Sequence, residues 1–399
     1  VDAAADRDAS LVLRPRHKSV PPRLWGSTAA EAVATGLRVG DLQTPVLTID
    51  RAASDGNVAT LVAWARTTGV ELAPHGKTTM APELWRRLLD SGCWGITLAT
   101  PWQVQVARAA GLDRILLANE LTDPVAIAWL TAELDADPRF AFACWVDSVE
   151  GVELLARTPG ERAIDVLVEL GAAGGRTGAR GVDAARRVAD AVAASPRLRL
   201  RGAAGYEGSY GPDRGEEPRV RAYLRDLRAL AGSLDAVDPI VTAGGSAWFD
   251  VVAEELVGTR AADGTPATVI VRAGAFQAHD DVFYAGISPF AGTERAFLPA
   301  LHAWARVLSR PEPGLVLLDA GKRDLPSDLD LPVVLDVPGA RVTSLADQHA
   351  FVTVPPDSGL AVGDVVRLGI SHPCTAFQLW GLVPEVEGER VVGFVETMF

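Results

Sequence analysis

From Val70 onward the chain alternates short apolar, β-rich runs with longer alanine-rich stretches whose apolar positions recur at helical spacing. The runs are VELAPHG (70–76), WGITLAT (94–100), RILLANE (114–120), AFACWVD (141–147), DVLVELG (165–171), LRGAAGY (200–206), PIVTAGG (239–245) and ATVIVRAG (267–274). Between them lie stretches such as PWQVQVARAAG and GVDAARRVADAVAAS, which read as helices. Strands joined through helical crossovers pair in parallel. Eight such units predict an α/β chain built on a closed (β/α)8 barrel, in preference to an open doubly wound sheet.

Beyond about residue 290 the pattern changes. GLVLLDAG, PVVLDV, HAFVTV, GDVVRLGI and RVVGFVETMF are short β runs broken by Pro, Gly and Asp, the pattern of a separate, mostly antiparallel β domain. TPVLTID (44–50) precedes the barrel beat. The expected organisation is an N-terminal segment, 1–50, pairing with the β domain; a barrel over 51–290; and the β domain over 291–399.

With 48% hydrophobic and 22% charged residues among 399, the chain has enough apolar side chains for a large core. Its net charge of -13 argues against a nucleic-acid partner. No uninterrupted apolar run is long enough to span a bilayer, so no membrane association is expected. The N-terminus lacks the basic segment and apolar core of a secretory signal, and the three scattered cysteines do not form a disulfide framework. The expected location is the cytoplasm.

Barrel enzymes place their chemistry at the carboxyl ends of the strands. Polar residues at those positions are Lys77, Thr100, Asn119, Asp147, Arg176, Tyr206 with Glu207, the turn Gly244-Gly245-Ser246, and Arg272. The loop TAGGS, opened by Thr242, offers successive backbone N–H groups with little side-chain obstruction, a nest suited to phosphate. A lysine after the first strand, opposite such a nest, fits pyridoxal phosphate held as a Schiff base. His75 either tunes Lys77 or packs beside it. Arg176 stays protonated, so at a pyridine nitrogen it can only donate. In GISHPCTAFQLW, His372 and Cys374 lie two apart and would share one face of an extended segment. Imidazole and thiolate together suit zinc, and two protein ligands leave positions for water and substrate. His349, in LADQHAF, is a further candidate for metal binding or proton transfer.

The segments PHGKTTMAP, GYEGSYG, TAGGS, VRAGAFQAHDD, LLDAGKRD and SHPCTAFQLW resemble the D-serine dehydratase and D-threonine aldolase family, from about Pro45 to the C-terminus. That family belongs to the alanine-racemase-like, fold-type III pyridoxal-phosphate enzymes, and the likeness is nearest to bacterial amino-acid deaminases and D-serine deaminase-like proteins. The resemblance implies that Lys77 is the Schiff-base lysine and the base that takes the Cα proton. It implies Arg176 at the pyridine nitrogen, Gly244, Gly245 and Ser246 at the phosphate, and Tyr206 and Tyr210 lining the site. It further implies His372 and Cys374 as ligands of a divalent metal, zinc in the dehydratase branch, and a homodimer. Many relatives carry arginine before Pro-His and a second histidine after Lys-Thr, where this chain has Ala73 and Thr79, a departure that bears on substrate more than on cofactor. Cysteine as the second ligand points towards dehydratases. The expected function is a pyridoxal-phosphate- and metal-dependent dehydratase (ammonia-lyase) converting a D-β-hydroxy amino acid such as D-serine or D-threonine to a 2-oxo acid and ammonia. The alternatives are retro-aldol cleavage to glycine and an aldehyde, and a non-catalytic pyridoxal-phosphate-binding protein.

Overall fold

A computed structural model of the chain describes residues 11–399, so the first ten residues of the expected N-terminal segment lie outside the described residues. The chain divides into two compact units. One, a barrel, comprises Leu61–Lys77 and Leu88–Gly274; the other, a β unit, comprises the chain up to Thr60, Thr78–Arg87 and Ala275–Phe399.

After β1 (Val46–Asp50), which belongs to the β unit, the barrel strands follow in order: β2 (Glu71–Leu72), β3 (Ile96–Leu98), β4 (Arg114–Glu120), β5 (Ala141–Val146), β6 (Ile164–Gly171), β8 (Leu198–Gly205), β9 (Ile240–Ala243) and β10 (Thr268–Val271). A two-residue strand, β7 (Ala179–Arg180), lies beside β6. All neighbours in the order β2-β10-β9-β8-β6-β5-β4-β3 pair in parallel. The ring is closed between its ends by Trp94 N–H to Leu72 C=O at 2.7 Å, Thr97 N–H to Pro74 C=O at 2.9 Å, and a parallel bridge between His75 and Thr97. Each of the eight runs read from the sequence supplies one strand of this ring.

The strands are apolar because helices cover them outside and side chains fill them inside; seven of the eight β6 residues are buried. Ala73, Leu116, Trp145, Leu167, Ala204, Ile240 and Ile270 share one cluster. Helices start directly after strands because the loops carry their own caps. Thr100 accepts from Gln103 N–H before Pro101, and Asp123 accepts from Val125 and Ala126 N–H before Pro124.

Two carboxyls without an arginine partner break this apolar pattern, whereas buried Asp165 on β6 is paired with Arg199. Glu120 ends β4 and Glu169 lies on β6, and both oxygens of Glu120 and one of Glu169 are buried with no protein donor. Such a pair is satisfied only if one carboxyl keeps its proton and donates to the other. Burial, then the charge and hydrogen bond of Glu169, push Glu120 up to about 8.

In the β unit, β11 (Leu301–Glu312), β12 (Leu315–Leu318), β13 (Val333–Val334), β14 (Arg341–Leu345), β15 (Ala350–Thr353), β16 (Val365–Gly369), β17 (Leu382–Glu387) and β18 (Arg390–Glu396) join β1. The order is β14-β15-β12-β11-β1-β17-β18, with β16 paired to β11 and β13; every pairing is antiparallel except β1 with β17. The strand-period pattern is clear in β11, where Leu301, Ala303, Ala305 and Val307 are buried and the residues between them are not. The division differs from the expected 51–290 barrel at three places, residues 51–60, 78–87 and 275–290. Ala53, Ala81, Leu84 and Ala278 are buried in the same cluster as Leu301, Leu318, Leu368 and Trp380, so these flanking segments pack with the β sheet. Among the described residues no helix is long and apolar enough to cross a membrane.

Glu385, on β17, is buried and binds Arg51 Nη2 at 2.6 Å and Arg87 Nη2 at 2.8 Å. Burial alone would raise its pKa; the hydrogen bonds and charges of Arg87 and Arg51 outweigh it and hold the carboxyl below its ordinary value. Glu385→Ala leaves two arginines without their buried acceptor and should cost about 3 kcal/mol or more in denaturant unfolding. The carboxylate's contribution is present above the ordinary glutamate pKa of ~4.3 and should fade as pH falls through its lower folded value. Glu120 has the opposite sign. Its folded pKa is raised, so stability is full below the unfolded value and is lost as pH rises towards about 8. Glu120→Gln, which can still donate to Glu169, should flatten the fall in urea midpoint of cofactor-free protein between about pH 5 and about pH 8.

Candidate active site

Lys77 follows β2 in a single turn of 3-10 helix, Gly76–Thr78, and is half-buried. The chain holds three lysines, Lys18, Lys77 and Lys322, and Lys77 alone lies in the barrel unit. Lys18 is hydrogen-bonded to Arg323 C=O and Asp324, and Lys322 is exposed. The lysine count was open to sequence inspection and sharpens the choice more than the local pattern does.

His75 is held in line by its N–H to Arg272 C=O at 3.2 Å and by its bridge to Thr97. A Cβ on Gly274 would come within 2.6–2.8 Å of the His75 backbone and Cβ, so only glycine permits this approach. Burial, then the charges of Lys77, Arg272 and Arg176, hold the His75 imidazole well below its ordinary pKa. It is therefore neutral, and its buried Nδ1 has no protein partner. The three cations that act on it come from three loops around one barrel mouth.

Arg176 is exposed, with its guanidinium over the Tyr206 ring at 4.7 Å. Tyr206 is fixed from behind by Tyr223, whose hydroxyl accepts its N–H at 2.9 Å and donates to Leu170 C=O. Tyr210 packs edge-on against Tyr223 at 5.7 Å. Arg272 is buried, donating to Thr242 Oγ1 at 2.6 Å and Gly205 C=O at 2.8 Å, while its Nε has no partner. Thr242 donates in turn to Ile270 C=O, so its hydroxyl is engaged within the barrel wall.

The glycine nest is arranged differently from the expectation. Gly244 N–H and Gly245 N–H donate to the two oxygens of buried Glu207, at 2.9 and 2.6 Å. Gly244 has φ +96°, and a Cβ on Gly245 would lie 3.2 Å from the Tyr206 ring, which accounts for both glycines. A carboxylate seated on two successive amides shows that the loop binds oxyanions, but it uses the amides assigned to phosphate. Ser246, half-buried, has neither its amide nor its hydroxyl engaged among the described residues, and so is the donor left over. Thr100 and Asn119, also read as mouth residues, have structural partners: the helix cap described above and, for Asn119, the carbonyl of Ala99 at 3.0 Å.

In this wall, three cationic side chains, the unpartnered Nδ1 of His75, the unpartnered Nε of Arg272 and the free donors of Ser246 suit an anionic, hydrogen-bonding ligand. They fit the phosphate and ring of pyridoxal phosphate.

His372 and Cys374 lie in the β unit. Cys374 is not on an extended segment, as its spacing suggested, but in a short helix, Pro373–Phe377. His372 is the N-cap, in the left-handed region at φ 64°. Pro373 favours a helix start, and the turn rather than a strand brings imidazole and thiol into hydrogen-bond contact. The strained turn is anchored by buried Asp280, which accepts from His372 N–H at 2.7 Å and from Tyr284 N–H at 2.8 Å. Cys374 Sγ lies 3.2 Å from Thr78 Oγ1. His349 is exposed in the turn joining β14 and β15, and no contact of its ring with His372 or Cys374 is present among the described residues. Among the described residues no group of three or more His, Cys, Asp or Glu side chains could hold a metal, so a metal here would rest on the His372–Cys374 pair and exogenous ligands. The donor set, one imidazole and one thiol, suits a borderline-soft divalent ion.

Residues 300–386 match the family described as a putative serine dehydratase domain. The chain is 29% identical to D-threonine aldolase of Arthrobacter sp. over 359 residues, 87% of this chain and 90% of that one. The crystal structure of D-threonine aldolase from Filomicrobium marinum superposes with a TM-score of 0.79 at 26% identity, covering 91% of this chain and 97% of the other. D-threo-3-hydroxyaspartate dehydratase from Delftia sp. HT23 shares the fold at 22% identity and TM-score 0.68, covering 90% and 99%. An enzyme of that name has also been solved as a cysteine-to-alanine mutant in a metal-free form. With the barrel, the β unit and the mouth residues in place, the chain is similar in sequence and in fold to the D-threonine aldolases, and shares their alanine-racemase-like barrel with an additional β unit.

Proposed function

We propose that the protein is a pyridoxal-phosphate- and metal-dependent lyase that cleaves the Cα–Cβ bond of a D-β-hydroxy-α-amino acid, releasing glycine and an aldehyde. The sequence alone favoured dehydration and kept this cleavage as its alternative. The observation that carries the reversal is the match to D-threonine aldolase over 87% of the chain, supported by the aldolase fold at TM-score 0.79. The cysteine ligand is the feature that supports dehydration instead.

In this reading Lys77 holds the cofactor through its amine, Arg176 meets the pyridine nitrogen, and Tyr206 lines the ring. Ser246 and the loop from Thr242 through Gly244 and Gly245 receive the phosphate, with Glu207 stiffening that loop from below. The cofactor, when bound, supplies the electron sink for the pair left at Cα. Neutral His75 adds no fourth positive charge beside Lys77, Arg176 and Arg272. The β-hydroxyl must lose its proton as the carbonyl forms and the Cα–Cβ bond breaks, and Cα must then gain one. Lys77 Nζ would deliver that second proton. His372 and Cys374 hold the metal, whose contribution is Lewis-acid polarisation of the β-oxygen. Zinc as the ion and a homodimer as the assembly belong to this proposal, to be checked by metal analysis and sedimentation.

Incubation with D-threonine, pyridoxal phosphate and a divalent metal should yield glycine and acetaldehyde in equal amounts. Formation of 2-oxobutanoate and ammonia in their place would overturn the aldolase reading in favour of dehydration. Lys77→Ala should reduce either product to background with an unchanged circular-dichroism spectrum. Chelation should lower turnover by about 10–100-fold, and added metal should restore it.

A further inference from the structure

The loop between β12 and β13 is tied down at Asp324, a buried residue. Its carboxylate accepts from Gly321 N–H at 3.1 Å and Gln348 Nε2 at 2.9 Å, and its carbonyl accepts from Trp380 Nε1 at 2.9 Å. Four residues further on, the anchored loop presents Asp328 to the metal-ligand turn. Asp328 Oδ2 lies 2.6 Å from His372 Nδ1. Thr375 Oγ1 lies 2.7 Å from the same nitrogen, and its hydroxyl also bonds Asp328. The contact joins segments 44 residues apart, so it is made by the fold and not by local chain geometry.

An ionised carboxylate can only accept hydrogen bonds, so the proton between Asp328 and the imidazole sits on Nδ1. A metal binds the neutral imidazole, and with Nδ1–H held by the carboxylate the nitrogen left to bind it is Nε2. Histidine ligands are commonly oriented in this way, by a carboxylate on the nitrogen that does not bind the metal. Asp280 fixes the backbone of His372; Asp328 fixes its ring.

We propose that Asp328 is a positioning residue for metal binding, locking His372 in the Nδ1–H tautomer so that Nε2 faces the ion. This rests on the reading of His372 and Cys374 as metal ligands.

Cobalt(II) titration of the full chain, followed by thiolate-to-cobalt absorbance and by competition with a chromophoric chelator, tests it without recourse to activity. The wild-type protein should show the thiolate band. Asp328→Ala should bind cobalt about 10–100-fold more weakly while keeping the shape of that band and an unchanged circular-dichroism spectrum. Asp328→Glu should recover part of the loss, and histidine NMR of the alanine variant should show a shift of the His372 proton from Nδ1 towards Nε2. An affinity within about twofold of wild type would overturn the positioning role, since loss of a tautomer-fixing carboxylate costs far more. A changed coordination spectrum would overturn it too, by making Asp328 a direct ligand. A wild-type chain that binds no cobalt would instead sink the metal reading on which the inference stands.

Discussion

The closure of the barrel at its first strand is the constraint on which the rest of the structure depends. β2 has only two residues in regular pairing, and the chain between Leu72 and His75 completes the ring through Leu72 and Pro74 carbonyls and the His75 bridge. Pro74 has no N–H to give, so this edge accepts from β3 and donates only through Ala73 and His75, to β10. The geometry leaves His75 pressed against Gly274 and turns the next residues into the short helix that carries Lys77.

Around that lysine the barrel keeps a balance of buried charge. Arg272 is buried deeply enough for its pKa to be drawn down, with the carboxylates of Glu207 and Glu169 opposing the shift. Glu207 in turn serves the glycine loop, and Glu169 lies beside Glu120, whose carboxyl it helps to raise. Removing any one of these groups exposes a partner in a low-dielectric setting, where an unpaired charge costs most. The β unit shows the same logic at smaller scale, with Asp280 holding a strained backbone and Asp328 a ring.

Much of this was legible in the sequence because it follows from period and position. The eight apolar runs gave the eight strands, since parallel strands covered on both faces must be apolar throughout. The antiparallel unit followed from its period-two runs and turn residues. Lys77, Arg176, Tyr206 and the TAGGS loop could be singled out as candidates because a barrel places strand ends together. What was not legible depends on contacts between distant segments. Nothing local in GYEGSYG says that Glu207 will occupy the amides of Gly244 and Gly245. Nothing in LPSDLDLP assigns Asp328 to His372. The H-x-C pair was read with strand geometry, whereas Pro373 starts a helix there. The boundary at 51–290 failed to anticipate that Ala81, Leu84 and Ala278 pack with the β sheet, because helix amphipathicity does not reveal which core a face joins.

The central claim is that the barrel mouth holds pyridoxal phosphate on Lys77, and the three-lysine composition makes it unusually direct to test. Borohydride reduction of the cofactor-loaded protein, followed by peptide mapping, should place the pyridoxyl label on the peptide that contains Lys77 and on no other. A label on Lys18 or Lys322, with Lys77 unmodified, would contradict the account.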